Sequence, residues 1–279
     1  MNNIGKNQNT NEMLDLLFSA RVYMNKASYL KNMEFILIFI IVCINFLRYF
    51  TINLSIIEWI IVLGTIIIGI LEFLIKQNIE LGALIKQYID LTLYEMPNID
   101  ELSERKVKEA KYKAITSNKK FYIEQVNNDG NSEKRGVKNW YSVENTLELN
   151  DAIIECQKEN SYWDKKLVKK YMFFLVILGT VILITSYICT NSWLIRVSSI
   201  INAVIIFKEI INCFKHITFS EKLETKFNYY NKCSDKKDII LDIQNDIFER
   251  RKFLIVPDIF HKISRKELHE IWNEIKKKN

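Results

Sequence analysis

The chain reads as a mainly α membrane protein, with four transmembrane helices in two hairpins and a mostly helical polar remainder. Three observations carry that reading. Hydrophobic residues make up 49% and charged residues 26% of the 279, yet the mean hydropathy is near zero, so apolar and charged residues are segregated along the chain. Four strongly apolar runs, 33–50, 56–74, 171–189 and 193–214, form two close pairs. Gly (7) and Pro (2) are scarce, which disfavours turn-rich β folds and favours long helices.

A helix needs roughly 20 apolar residues to cross ~30 Å of hydrocarbon. The first three runs meet that length, while Arg196 and the neighbours Lys208 and Glu209 interrupt the fourth. Ile, Leu, Val and Phe occupy every face of these runs, unlike the one-sided stripe of a soluble core helix. The linkers within each pair, 51–55 and 190–192, are short and carry no Lys or Arg. The outer flanks are basic: Lys26 and Lys31 before the first run, Lys76 after the second, Lys165, Lys166, Lys169 and Lys170 before the third, Lys215 after the fourth. The positive-inside rule then puts both termini and the middle segment in the cytoplasm. Domain organisation follows: a cytoplasmic N-terminal helix (1–32), hairpin 1 (33–74), a cytoplasmic middle region (75–170), hairpin 2 (171–214) and cytoplasmic C-terminal helices (215–279). The first thirty residues are polar, so no cleavable signal peptide is expected there.

In the cytoplasmic segments, Asn9 and Glu12 have capping-box spacing ahead of a helix with Leu14 and Leu17 on one face. The second span is expected to continue outward to Tyr94, with Pro97 ending it and Asn98 with Glu101 capping the next helix. The charged stretch 103–120 reads as a solvated helix, and 127–136 as a loop. Two short β-prone stretches beside that loop, 120–126 and 137–141, leave room for a small β-hairpin. Residues 149–171 are expected to form a helix running into the third span, 238–253 another, and a last helix to start at Ser264.

No motif of known chemistry is present: no Gly-rich phosphate loop, no H-E-x-x-H and no G-x-S-x-G, so neither an enzyme nor a cofactor is expected. The five cysteines are scattered without a C-x-x-C pair, and the three histidines lie apart in the C-terminal region. That excludes a zinc framework read from spacing. Polar groups inside the spans carry more weight, because the bilayer makes them costly. They are Asn45, Arg48, Glu58, Arg196 and Asn202. Arg48 and Arg196 lie where they can snorkel to an interface; alternatively, some of these groups face a bundle interior or a pore. Cationic residues also recur beside aromatic ones, at Arg21 with Tyr23, at 139–141, at Trp163 and at Arg250-Arg251. Such pairs suit a phosphate-bearing nucleobase, although from the residues alone Trp140 and Trp163 as core anchors, with the arginines on the surface, is the favoured reading.

Several strings resemble the SMODS-associated four-transmembrane effector family of bacterial antiphage (CBASS) systems. They are Gln8-Asn9, Leu17, Ala20-Arg21, Tyr23 and Ala27; Asp90, Tyr94 and Pro97; Asn139-Trp140-Tyr141; Cys156-Gln157, Asn160, Trp163-Asp164, Leu167 and Tyr171; and Gln244, Ile247-Phe248, Arg250, Pro257-Asp258 and Arg265. Their order and their placement relative to the spans agree with the family over nearly the whole chain. The chain departs at Lys158 and Val168, where Arg is expected, and lacks a Trp after Pro97. The resemblance implies a membrane effector gated by a cyclic oligonucleotide, with a functional link to a cyclic-nucleotide synthase, a homo-oligomeric state, and damage to the inner membrane as output. It implies ligand contacts among Arg21, Tyr23, Trp140, Tyr141, Gln157, Trp163, Arg250 and Arg265. A constitutive ion channel or small-solute transporter is the alternative. Alkaline phosphatase fused within 51–55 or 190–192 is expected to be active, and fused at Gly130 or Lys252 inactive; the reverse pattern would overturn the orientation.

Overall fold

The computed structural model describes residues 2–48, 55–130, 136–162, 164–188, 193–230, 232, 236–257 and 260. They form nine helices: α1 (Ile4–Asn7), α2 (Asn11–Arg48), α3 (Ser55–Leu93), α4 (Glu101–Ser117), α5 (Lys119–Asn127), α6 (Leu149–Tyr162), α7 (Asp164–Ile188), α8 (Trp193–Tyr230) and α9 (Lys236–Phe253). Four of them, α2, α3, α7 and α8, contain stretches long and apolar enough to cross a membrane. The charges in the fourth apolar run do not break it, since α8 passes through Lys208 and Glu209 as one helix. The chain divides into two compact units. The first comprises Met1–Lys26, Gln77–Trp163 and Thr218–Lys252; the second comprises Ala27–Lys76, Asp164–Ile217 and Phe253–Asn279. The division falls within α2, α3 and α8 and at the last residue of α9, Phe253.

In the second unit, buried positions repeat at helical spacing: Ile38 and Ile41 in α2, Ile61 and Ile68 in α3, Leu175 and Ile182 in α7, Ile206 and Cys213 in α8. Steps of three and seven residues keep one seam of each helix inward, as in a helix bundle. The outward faces are apolar too. Phe39, Trp59, Leu63, Ile70, Phe73, Phe173, Phe207 and Phe214 are each more than half exposed. So large an apolar exterior is tolerable only where lipid replaces water.

The first unit has its own core, from Leu14, Leu17 and Ala20 of α2, Ile85 and Ile89 of α3, Ile153 of α6, Phe227 of α8 and Ile243 and Ile247 of α9. In α4 the core face is Val107, Ala110 and Ala114, while Glu104 with Lys108 and Arg105 with Glu109 pair on the solvent side. Exposed pairs of this kind contribute about 0.3–0.5 kcal/mol each, so burial rather than charge seats the helix. The α4 cap is Asp100, whose side chain accepts from Ser103 N; the expected cap at Asn98 lies too early. Likewise Asn9 does not cap α2, which starts at Asn11, because its amide is taken up by Gly5 O and Asn139.

The small β-hairpin is not formed among the described residues. Residues 120–126 lie inside α5, and a single isolated bridge joins Asp129 to Lys138. The inward positions there are Tyr122, Gln125 and Val126, a helical spacing that alternating strand faces cannot bring together, and Tyr122 packs beside Phe18 and donates to Asp15. That bond pushes the Tyr122 phenol up to about 12. The expected helix over 149–171 appears as α6 and α7 on either side of residue 163, and the last helix at Ser264 lies outside the described residues.

The end of α3 matters for the site. Met96 N donates to Leu91 O and Glu95 N to Thr92 O, and Glu95 has φ 56. This is a Schellman C-cap, whose left-handed residue is usually glycine. Glu95 is exposed, so its side chain gives little back for the strain. Glu95→Gly is expected to raise stability by about 1 kcal/mol, read as a higher melting temperature in detergent; a lowered one would mean that the carboxylate holds something the cap needs.

Candidate functional site

The site is built by the loop between α5 and α6, which carries Asn139-Trp140-Tyr141. Asn139 has φ 51, a left-handed conformation that asparagine tolerates better than other non-glycine residues. Two side-chain amides from the N-terminus hold this loop as a paired strand would. Gln8 Oε1 accepts from Tyr141 N at 2.7 Å and Gln8 Nε2 donates to Tyr141 O at 3.1 Å. Asn9 Oδ1 accepts from Asn139 N at 3.0 Å, and Asn9 Nδ2 donates to Asn139 Oδ1 at 2.8 Å. Gln8 is buried, so its bonds carry the full cost of desolvation if broken.

Tyr141 points from that loop to Asp90 of α3, a carboxylate only 2% exposed. Asp90 Oδ1 accepts from the Tyr141 hydroxyl at 2.6 Å, and Oδ2 from Arg251 Nη1 at 2.7 Å and Gln244 Nε2 at 3.0 Å. Gln244 Nε2 also donates to Gln87 Oε1, and Gln244 Oε1 accepts from Gln157. Burial, then the neighbouring Asp90 charge, push the Tyr141 phenol well above its ordinary value, so it stays a donor. Burial opposes the charge on Arg251, but the Asp90 carboxylate outweighs it and holds the guanidinium charged. Burial pushes the nearby Cys156 thiol up, so it stays protonated and unreactive.

Beside this hub lies a cleft of about 160 Å³ lined by Arg21, Lys86, Asp90, Trp140, Tyr141 and Arg251 over an apolar floor of Leu17 and Ile89. Trp140 is half-buried, with the Arg21 guanidinium 5.6 Å and the Lys86 ammonium 6.0 Å from its ring centroid. Arg21 is also hydrogen-bonded to Gln125 Oε1. Three cations against one carboxylate, with an aromatic face between them, suit an anion that carries a planar ring.

Comparison with known proteins then places the chain. The family model described as the SMODS-associating 4TM effector domain matches residues 2–278. The chain belongs to that family. No curated protein and no solved structure matches it. As a 4TM effector domain it is a membrane effector associated with CBASS defence.

Of the residues singled out in the sequence, the effector domain brings Arg21, Trp140 and Tyr141 into one cleft. Tyr23 is half-buried in α2 and donates to Ala110 O of α4, outside the cleft. Gln157 is fully buried and acts one step behind the cleft, through Gln244. Arg250 is also buried and donates to Ser161 O near the end of α6. The Arg that reaches Asp90 is its neighbour Arg251. Trp163 and Arg265 lie outside the described residues. Lys86 and Asp90 went unremarked as site residues. The signal for Asp90 was its register with Ala83, Gln87 and Tyr94, at steps of seven, three and four residues on a buried helix face, where a carboxylate needs donors.

In the second unit, Asn202 is buried and donates from Nδ2 to Thr65 Oγ1 at 3.3 Å, joining α8 to α3 inside the bundle. Glu58 is half-buried in the first turn of α3, and Arg196 is exposed near the start of α8. The side chains of Asn45 and Arg48 are outside the described set. A buried charge cluster in this unit was not foreseen. Lys31 Nζ lies 3.1 Å from Glu34 Oε2 and 3.0 Å from Glu209 Oε1, and Tyr171 donates to Glu209 at 3.2 Å. All four residues are less than 10% exposed. Lys208, by contrast, is exposed and pairs with Glu72 at 2.9 Å.

Tyr141→Phe withdraws the donor on Asp90 Oδ1 while keeping the ring. It is expected to cost about 1–3 kcal/mol of stability, seen as a lowered melting temperature in detergent. A variant as stable as the parent would show that the Asp90 hub does not hold the loop.

Proposed function

We propose that the cleft of the first unit binds an anionic cyclic oligonucleotide, and that binding shifts the transmembrane helices toward a state that permeabilises the inner membrane, with both termini in the cytoplasm. The observation that supports this reading is the convergence of Arg21, Lys86 and Arg251 around Trp140 and Tyr141. Guanidinium and ammonium groups meet phosphate, and the indole offers a stacking face for a base. Helices α2, α3 and α8 each run without a break from residues of the first unit to residues of the second, so the spans are covalent extensions of helices that line the first unit. The homo-oligomeric state and the partner synthase belong to the same proposal, through the family.

A ligand can shift this equilibrium only by its difference in affinity for the two states. Reversing a ratio of about 1:99 takes roughly 10⁴-fold tighter binding to the open form. The test is co-expression with a messenger-producing synthase from a CBASS system, following membrane potential with a dye. Depolarisation that depends on both proteins is expected. A potential that holds while the messenger accumulates overturns the proposal.

Within it, Trp140→Ala is expected to weaken messenger binding by about 5- to 150-fold, the worth of one base–aromatic stack. Arg21→Ala is expected to weaken it by about 10- to 100-fold through a lost charge-assisted contact. Calorimetry on the purified full chain reads both, and unchanged affinities would place the ligand elsewhere.

A further inference from the structure

Within the second unit, the inward seam of α8 is polar. Ser199, Asn202, Ile206, Glu209, Cys213 and His216 follow one another at steps of three and four residues, and all six are buried. The outward face of the same helix carries Ile200, Val204 and Phe207. In lipid a polar side chain is costly, and those that face a bundle interior mark substrate and ion pathways.

The polar groups fall into two layers. In the first, Asn202 Nδ2 donates to Thr65 Oγ1, 3.3 Å away on α3. Asn202 Oδ1 and Ser199 Oγ are buried with no hydrogen-bond partner among the described residues. A helical serine or threonine usually bonds the carbonyl one turn back; Thr65 does so on Ile61, and Ser199 does not. The second layer is the cluster of Lys31, Glu34, Glu209 and Tyr171. Between the layers, by register, each helix supplies one aliphatic residue. Ile38 follows Glu34 by one turn, Ile68 follows Thr65, Leu175 follows Tyr171, and Ile206 separates Asn202 from Glu209. None of the four is more than 2% exposed, and all belong to one core cluster. Ile206 lies against Gly179 of α7, where an added Cβ would stand 3.4 Å from it. Unsatisfied oxygens in a dry bundle work against its stability, so their use lies in a state where the interior is wet.

Resting on the permeabilising reading, we propose that the second unit conducts small monovalent cations through the interior of its own four-helix bundle, along a route closed by the aliphatic layer around Ile206. The hydroxyl and amide oxygens of Ser199, Thr65 and Asn202 on one side, and the carboxyl groups of Glu34 and Glu209 on the other, are ligands for hard cations. Lys31, the one cation in either layer among the described residues, is held by both carboxyl groups and leaves little positive charge for an anion. A dry ring of Ile and Leu bars a hydrated ion, and parting of the helices wets it.

The test reconstitutes the full chain, without any ligand, in liposomes loaded with potassium and calcein, and follows a potential-sensitive dye. Ile206→Ser is expected to raise potassium leak about tenfold or more, the Boltzmann worth of one buried aliphatic side chain, without calcein release. Ile206→Val, still aliphatic, is expected to leak far less. An unchanged leak in Ile206→Ser, an equal leak in Ile206→Val, or calcein lost together with potassium each overturns the route. In the Ile206→Ser background, Glu209→Gln is expected to lose the preference for potassium over chloride, read as a reversal potential in a planar bilayer. A preference that persists overturns the place of Glu209 on the route. If Ile206→Ser does not fold, Ser199→Ala carries the test. It removes an oxygen that the closed bundle leaves unsatisfied, so the variant is expected to melt about 2–4 °C higher in detergent; a lowered melting temperature overturns the proposal. No messenger enters these arms, so they judge the route whatever the cleft binds. Depolarisation by the parent with a synthase, beside a folded Ile206→Ser that does not leak, leaves permeabilisation standing and overturns this route alone.

Discussion

A carboxylate buried to 2% exposure is the constraint on which the first unit turns. Burying a carboxylate is costly unless hydrogen-bond donors surround it. The fold supplies them from separate pieces of chain: Tyr141 from the loop after α5, and Gln244 and Arg251 from α9. Satisfying that one group fixes where the loop lies, which way its Trp140 faces, and where the last turn of α9 ends. The amides of Gln8 and Asn9 then complete the loop from the N-terminal side. The cleft is thus a consequence of polar satisfaction, and the same arrangement places Arg21, Lys86 and Arg251 beside the Trp140 ring.

The second unit solves the same problem in a drier setting. Lys31, Glu34 and Glu209 cannot be buried singly, and they are buried together, with Tyr171 as a further donor. Adjacent residues in α8 are sorted by face: Glu209 turns inward to Lys31, and Lys208 outward to Glu72. Sorting of this kind makes the fourth apolar run workable as a span although it carries charge. Each unit therefore places a buried ionic arrangement where a change of partners would alter the packing around it. Low dielectric makes such arrangements all-or-none: fully paired they are rigid, and half-paired they are costly. That property suits a protein whose family is defined by an effector role at the membrane.

The four spans, their pairing into hairpins and the helical nature of the remainder are legible from composition and periodicity. Twenty-residue apolar runs and basic flanks are local properties, and lipid imposes them directly on the sequence. The same holds for the end of α3, where Pro97 announces a stop that the backbone makes two residues earlier, through a left-handed Glu95. The stretch 120–126 shows the limit of local reading. Its β-branched and aromatic residues favour a strand, but contacts of Tyr122 with Phe18 and Asp15, more than a hundred residues away, select a helix.

Sequence by itself determined that this chain lives in a membrane and which segments cross it, because each segment must satisfy the bilayer on its own. It also exposed Arg21, Trp140 and Tyr141 as residues whose chemistry suits a nucleotide. Only the tertiary structure decided that these share a cleft, that Arg251 rather than Arg250 faces it, and that Asp90 holds it together. Neighbouring arginines on a helix point about 100° apart, and which of them meets the carboxylate depends on how α9 is rolled against α3. That rotation is set by the apolar stripe of Ile239, Ile240, Ile243 and Ile247 against the shared core, a property of the packed molecule and of no single segment.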